Sequence, residues 1–211
     1  MSRYTGAVCR LCRREGTKLF LKGTRCLTEK CAVERRPYPA GQHGQNAGRG
    51  RKTSEYAKQL REKQKVKRMY GLTETQFRTT YAKASLNPGV KGTNLLVALE
   101  TRLDNIVYRM GFASSRAAAR QLVRHGHIEV NGGKVDIPSF KVQPGHEVRV
   151  APADREMIVV KASQEQASRG APVSWLSIDS ERAAGRLLEL PTRDAIPVNA
   201  QEQLIVELYS K

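Results

Sequence analysis

The chain has 211 residues and a formal net charge of +17, and its charged side chains are unevenly placed. Residues 1–70 carry 19 Lys and Arg against 5 Asp and Glu, whereas residues 71–211 carry 18 against 15. The excess predicts a polyanionic partner. Nucleic acid is favoured over a membrane, because the basic region lacks a long apolar face and no stretch approaches the ~20 apolar residues of a spanning helix.

All four cysteines lie in one segment, CRLCRREGTKLFLKGTRCLTEKC. Cys9 and Cys12 form a C-x2-C pair, and Cys26 and Cys31 form a C-x4-C pair, which is the spacing of a tetrahedral four-thiolate site. One zinc ion suits such a closed structural site, and an iron–sulfur cluster is the alternative. Disulfides are disfavoured because MSRYTGAV contains no apolar signal segment, which predicts a reducing cytoplasm. A redox pair is disfavoured because no βαβ pattern surrounds the first two cysteines.

The next stretch, RRPYPAGQHGQNAGRGRK at residues 35–52, contains two prolines and four glycines and cannot build a core. By composition it is either a linker or an extended arm, and both interpretations stay open. As an arm, its prolines would limit the entropy lost on binding, and its glycines would allow the backbone close to RNA.

A strongly basic helix is predicted from Thr53 to Gly71. Thr73 forms a capping box with Gln76 that starts a second helix. A third helix is predicted from Thr93, with an apolar stripe that runs to Met110 and packs in the core.

A shorter fourth helix is predicted between Ser114 and Gly126, and Arg116, Arg120 and Arg124 share one of its faces. Three arginines without an intervening acid favour an anion-facing surface over a merely solvated one. Asn131-Gly132 then predicts a hairpin, and further strands are expected at residues 147–150, 158–160 and 173–178. A last helix is expected to be capped by Asn199.

The cysteine pairs, the arm and the helix–helix–hairpin unit together resemble the ribosomal S-four family of bacterial small-subunit proteins. The segments that carry the resemblance are MSRYTGAVCRLCRREG, RPYPAGQHG, RLDNIVYRMGFASSRAAARQLVRHGHIEVNG, WLSID and LIVELYSK. They occur in order along essentially the whole chain. Many members lack the cysteines, so the chain is similar to the metal-binding branch, and Ala40 stands where the arm often has a second consecutive proline.

The resemblance implies an α+β fold: a helical domain with an inserted RNA-binding module, in which two helices pack on an antiparallel sheet, and an N-terminal four-cysteine metal knuckle with an extended basic arm. The expected boundaries are 1–45 for the knuckle and arm, 46–95 for the helical domain, completed by 183–211, and 96–182 for the module with its following strands.

The resemblance also implies direct, early binding to a helical junction in the 5′ domain of small-subunit ribosomal RNA, and a contribution to decoding accuracy near the messenger entry path. The expected partners are this RNA, neighbouring small-subunit proteins, notably the fifth, and messenger RNA. No membrane and no small-molecule substrate are expected, and the expected location is the ribosome in the cytoplasm.

The predicted RNA-binding residues combine the basic positions of the N-terminal region with those of the module. They are Arg3, Arg10, Arg13, Arg14, Lys22, Arg35, Arg36, Tyr38, His43, Arg49, Arg51, Lys52, Lys58, Arg61, Lys65, Arg68, Arg102, Arg109, Arg116, Arg120, Arg124, His125, His127 and Lys134.

Two rival functions fit parts of the sequence. An RNA-modifying enzyme is suggested by Arg102-Leu103-Asp104, which is similar to a short motif with a catalytic aspartate. The triplet falls inside a periodic helix, where Asp104 is expected to face solvent as an ion-pair partner, and little chain is left for a catalytic domain. A zinc-dependent DNA-binding factor would instead place a recognition helix beside the cysteines.

Overall fold

The computed structural model describes residues 4–46, 54–167 and 173–210. The predicted RNA-binding residues Arg3, Arg49, Arg51 and Lys52 therefore lie outside the described residues. The chain divides into two compact units, one formed by Met1–Gly92 with Val198–Lys211 and the other by Thr93–Pro197. The second unit ends at Pro197, whereas the predicted module ends at residue 182. The difference arises because the strand at residues 184–187 hydrogen-bonds into the sheet of the second unit.

The first unit is helical. Its helices are α1 (Cys9–Glu15), α2 (Ala32–Arg35), α3 (Glu55–Met69), α4 (Glu74–Ser85) and, after the second unit, α9 (Glu202–Tyr209), with short 3₁₀ turns at Gly23–Leu27 and Gly44–Asn46. The Thr73 side chain accepts a hydrogen bond from the Gln76 backbone, so the predicted cap of α4 is confirmed. α9 packs along α3, and the rings of Tyr81 and Tyr209 stack with centroids 4.4 Å apart.

The second unit packs helices against one antiparallel sheet. The chain enters it in α5 (Lys91–Glu100) and continues through α6 (Leu103–Arg109), α7 (Arg116–Arg124), β1 (Ile128–Val130), β2 (Gly133–Lys134), β3 (Glu147–Val150), α8 (Ile158–Ala167), β4 (Leu176–Asp179) and β5 (Ala184–Leu187). The strand order is β2-β1-β3-β5-β4. The core contains apolar side chains from α6, α7 and the strands, together with the fully buried Trp175. The predicted α+β class is confirmed.

The hairpin at Asn131-Gly132 is also confirmed. Both residues have positive φ, 50° and 82°, as a type I′ turn requires, and Val130 pairs with Gly133 across it. The turn brings Lys134 back beside the end of α7.

Five predicted elements were misplaced. The single third helix is two helices, because Arg102 forms a β-bridge with Lys141 and the backbone there is extended. The strand expected at residues 158–160 is the start of α8, in which Val160 is buried and its two apolar neighbours are exposed. The strand expected at residues 173–178 begins only at Leu176. Ser115, not Ser114, caps α7, and α9 follows Gln201 rather than a cap at residue 199.

Candidate nucleic-acid interface

The cysteine segment folds around its thiols. α1 carries Cys9 and Cys12, the first 3₁₀ turn carries Cys26, and Cys31 immediately precedes α2. Three of the four side chains are buried, and Cys9 is half-buried. The Sγ atom of Cys26 accepts a hydrogen bond of 3.4 Å from the backbone N–H of Lys22. The segment therefore shelters its sulfur atoms instead of exposing them to solvent.

The thiols also lie within electrostatic reach of one another. Burial raises the pKa of Cys12, although a backbone hydrogen bond at Leu19 lowers it, and the charges of the other three thiolates raise it further. A cation among the sulfur atoms would remove this repulsion, so the donor set fits a metal that prefers thiolates. Among the described residues, however, no group of three or more Cys, His, Asp or Glu side chains is arranged to hold a metal ion. The four-cysteine site is not confirmed and stays a prediction.

Every basic side chain of α3 has an acidic partner. The pairs are Lys58–Glu55, Arg61–Glu15, Lys63–Glu74, Lys65–Glu62, Lys67–Glu74 and Arg68–Glu15. The side chain of Glu15 is only 2% exposed. The helix that looked most basic in the sequence is thus largely neutralised within its own unit, and four predicted RNA-binding residues are internal ion-pair partners.

Lowering the pH is expected to destabilise the first unit through protonation of Glu74. Burial alone would raise the pKa of this carboxyl, but hydrogen bonds and charges from Lys63 and Lys67 outweigh burial and lower it. A carboxyl with a lowered folded pKa stabilises the fold above its unfolded pKa, and the contribution is lost as pH falls through the folded pKa. Glu74→Gln should remove that pH dependence and cost less than about 1 kcal/mol at neutral pH, because the group is half-exposed. Urea denaturation at neutral and acidic pH checks this, and equal pH slopes in both proteins would contradict it.

The described part of the arm is folded onto α1. Arg13 donates from Nε to the Tyr38 carbonyl at 2.8 Å and from Nη2 to the Pro39 carbonyl at 3.2 Å, and its guanidinium lies 4.9 Å from the Tyr38 ring centroid. At Gly44 a Cβ atom would lie 1.9 Å from the Pro39 carbonyl oxygen, so only glycine fits there. Through Asn46 the arm is a compact loop, which corrects both the extended arm and the linker expected from composition.

Apart from Arg13, and from Lys18, which pairs with Glu34, the cations of residues 10–36 are exposed. Within the described residues, no side-chain hydrogen bond or ion pair joins these seven to an acid: Arg10, Arg14, Lys22, Arg25, Lys30, Arg35 and Arg36. We call them the N-terminal cations. His43 in the arm is exposed as well. Among the described residues before α4, the uncompensated charge therefore lies on residues 10–36 rather than on α3.

In the second unit, two buried acids hold four of the predicted RNA-binding arginines. Glu100 is fully buried and accepts from Arg109 Nε at 2.9 Å and Nη2 at 2.6 Å, while Asn105 Nδ2 donates to it at 2.6 Å. Arg116 Nη2 lies 3.9 Å from the same carboxylate. This acid therefore ties α5 to α6 and α7.

Asp104 is the second buried acid. It is 5% exposed and accepts from Arg102 Nη2 at 2.8 Å and from Arg120 Nη1 at 3.1 Å. The expectation that Asp104 faces solvent was wrong, because the hydrogen-bonded guanidinium groups make its burial possible. Of the three arginines predicted to share one anion-facing side of α7, only Arg124 is exposed.

A small exposed basic group remains at the end of α7. His127 Nδ1 lies 2.9 Å from an Asp154 carboxylate oxygen, which fixes the imidazole, and the His125 ring centroid is 6.1 Å from that of His127. Gly126 leaves room for Lys134, because a Cβ atom at residue 126 would lie 2.0 Å from the lysine Cε. We call the exposed Arg124 and Lys134 the module cations; His125 is also exposed, whereas His127 is half-buried and paired with Asp154.

The sequence has known relatives over its full length. Residues 3–100 match the family model described as the ribosomal protein S4/S9 N-terminal domain, and residues 101–148 match the S4 domain. Small ribosomal subunit protein uS4 of Thermodesulfovibrio yellowstonii is 57% identical over 100% of both chains, and those of Thermus thermophilus and Pelotomaculum thermopropionicum are 55% and 54% identical with the same coverage.

The fold and these matches define a ribosomal protein with an S4 domain. The chain belongs to the ribosomal protein S4 family of the small subunit. Its relatives are ribosomal proteins, so the expectations that the protein is not an enzyme and that it resides on the cytoplasmic ribosome are confirmed. No helix among the described residues combines the length and the apolar character needed to cross a membrane.

Proposed function

We propose that the protein binds small-subunit ribosomal RNA directly as a structural component of the subunit. The observation that carries this proposal is the separation of its cations into two kinds. On α3 and around Glu100 and Asp104 the basic side chains are paired with acids, whereas the N-terminal and module cations are exposed. A surface that keeps uncompensated charge while acids neutralise the rest suits an external polyanion.

The chemistry of these cations favours recognition of RNA shape. The major groove of A-form RNA is too deep and narrow for side chains to read base edges, so phosphates and backbone geometry carry recognition. Five of the seven N-terminal cations are arginines, whose planar guanidinium groups bind phosphate through two hydrogen bonds. A junction that draws several phosphates together would meet both groups of cations.

Membership of the family supports the finer function. The protein binds a helical junction in the 5′ domain early, and so helps to nucleate subunit assembly. It contributes to translational accuracy near the messenger entry path, where messenger RNA and neighbouring small-subunit proteins, notably the fifth, are its further partners. Binding of the RNA in the absence of any other protein tests the first of these roles.

The same proposal includes one structural zinc ion held by Cys9, Cys12, Cys26 and Cys31, with an iron–sulfur cluster as the alternative. The spacing of the cysteines, the burial of three of them and their mutual electrostatic effect on Cys12 support it. A bound ion would fix α1, the first 3₁₀ turn and the start of α2 relative to one another. Arg10, Arg14, Arg25 and Arg35 lie on these elements, and the other N-terminal cations are adjacent to them in sequence.

Removing two exposed cations should weaken RNA binding more than removing two paired ones. In Arg10→Gln with Arg14→Gln, the loss of two phosphate contacts should lower affinity roughly 30-fold near 0.1 M salt and reduce the salt slope by about 1.5. The matched double variant Lys58→Gln with Lys65→Gln should cost less than about fivefold, because those lysines already pair with Glu55 and Glu62. Filter binding to the 5′-domain RNA over a salt series measures both, and equal losses would contradict the assignment.

Competition separates RNA from DNA as the partner. A DNA duplex of the same length should displace the RNA poorly if the protein recognises A-form geometry and 2′-hydroxyl groups. Equal displacement would favour the DNA-binding rival.

A further inference from the structure

We propose that Glu15 is a positioning residue for RNA recognition: it holds α1, and with it the N-terminal cations, in one orientation on α3. The inference rests on the proposed function, because the orientation matters only if these cations meet phosphates at fixed spacings. Glu15 itself touches no phosphate in this account. It acts through the two arginines of α3 that enclose its carboxylate.

The geometry is that of a bridge between two helices. Glu15 is the last residue of α1, and its side chain is 2% exposed. Its Oε1 atom accepts from Arg61 Nη1 at 3.4 Å and from Arg68 Nη1. Residues 61 and 68 are seven apart, so they share one face of α3 two turns from each other. A carboxylate held between two turns fixes both the position of α1 along α3 and its rotation.

α1 also holds the arm, through Arg13. Arg13, two residues before Glu15, donates to the Tyr38 and Pro39 carbonyls and stacks on the Tyr38 ring. α1 thus binds α3 with one side chain and the arm with another, while Arg10 and Arg14 on the same helix stay exposed. A displacement of α1 would move exposed cations, arm and cysteines together.

A gain in folding stability does not explain why this carboxylate is buried. Burial raises the pKa of Glu15 even though Arg68 and Arg61 oppose the rise, so the ionised group is held where its charge is unfavourable. Because its folded pKa is raised, its ionisation above that pKa costs folding free energy compared with an exposed glutamate. Buried ion pairs commonly return little more than their desolvation costs, and a fixed geometry is their best-attested benefit. Cations that are already in place lose less entropy when RNA binds.

The test compares Glu15→Gln with Glu29→Gln in the full chain. Both changes remove one negative charge from the cysteine segment, but Glu29 is exposed and no described side chain pairs with it. The probes are the 5′-domain fragment of small-subunit ribosomal RNA and polyuridine of equal length. Glu15→Gln should lower affinity for the fragment roughly tenfold while affinity for polyuridine stays within about twofold, because every cation is kept and only the arrangement of the cations is lost. Glu29→Gln should leave the ratio of the two affinities unchanged.

A charge exchange and an RNA-free measurement complete the test. Glu15→Arg combined with Arg68→Glu keeps one ion pair between α1 and α3, so it should restore part of the preference for the fragment. Amide hydrogen exchange in residues 9–15 of the free protein should be faster in Glu15→Gln than in Glu29→Gln. Three results would overturn the inference. They are an unchanged preference of Glu15→Gln for the fragment, an equal loss of affinity for both RNAs, and a charge-exchange variant that restores none of the preference. A wild type without preference for the fragment would instead refute the proposed function, and the hydrogen-exchange comparison would still decide whether Glu15 holds α1.

Discussion

The substitution Cys12→Ser is expected to abolish the proposed metal site and to unfold the cysteine segment. Cys12 is 5% exposed and lies on α1, so serine there would replace a buried thiolate donor. Structural zinc contributes on the order of 10 kcal/mol to the folding of small metal-binding segments, and three thiolates hold it far less well than four. Metal content per chain should fall from about one to near zero, and affinity for the 5′-domain RNA should fall with it.

Elemental analysis after anoxic purification, paired with amide hydrogen exchange across residues 9–31, measures this effect. Thr24→Ser in the same segment is the matched control, because residue 24 is exposed and changes no thiol. Iron and inorganic sulfide in place of zinc would identify a cluster. A Cys12→Ser protein with unchanged exchange and full RNA affinity would show that the thiols hold no structural ion.

Alanine at Glu100 is expected to destabilise the second unit by about 3–5 kcal/mol, because it leaves buried guanidinium groups without their carboxylate. Glu100 is fully buried and receives hydrogen bonds from Arg109 and Asn105, with Arg116 at 3.9 Å. Removing one partner of a buried network costs far more than the network contributes, since the remaining charges keep their desolvation penalty.

Urea denaturation followed by the fluorescence of Trp175 isolates this unit, because the only tryptophan of the chain is fully buried there. The matched control is Glu147→Ala. That carboxylate is 44% exposed and lies 3.9 Å from Arg186, so its loss should cost less than about 1 kcal/mol. Equal losses for the two variants would mean that the arginines around Glu100 find other acceptors.

The sequence predicted those features that depend on near neighbours. The cap at Thr73 and the hairpin at Asn131-Gly132 need only three or four residues in the right order, and both formed as expected. The break between α5 and α6 could not be found in this way. It arises from pairing of Arg102 with Lys141, 39 residues away, and the apolar stripe of the region continues through it without interruption.

The same limit explains the misassigned cations. Sequence composition counts charges, but it does not show which are paired. Arg61 and Arg68 meet an acid 46 and 53 residues earlier, and Arg120 meets one 16 residues earlier, so no local pattern predicts these pairs. The one pair that the sequence favoured joins Arg102 to Asp104, but it was expected to face solvent and is buried.

The distribution of paired and exposed cations changes what the net charge means. Residues 1–70 have a large basic excess, yet each base of their longest basic helix pairs with an acid, and the exposed cations among the described residues lie on residues 10–36, the region that holds every cysteine. The proposed metal site, the Glu15 bridge and the proposed RNA binding therefore concern one region of the chain. A substitution that disrupts any one of the three is expected to weaken the other two.

Footprinting of protein-free small-subunit ribosomal RNA with this protein alone, before and after metal chelation, would show whether the protein binds a junction directly and whether binding needs the metal. We expect compact protection of one multi-helix junction in the 5′ domain, and a smaller or absent footprint after chelation. Diffuse protection, or protection only when other ribosomal proteins are present, would contradict this expectation.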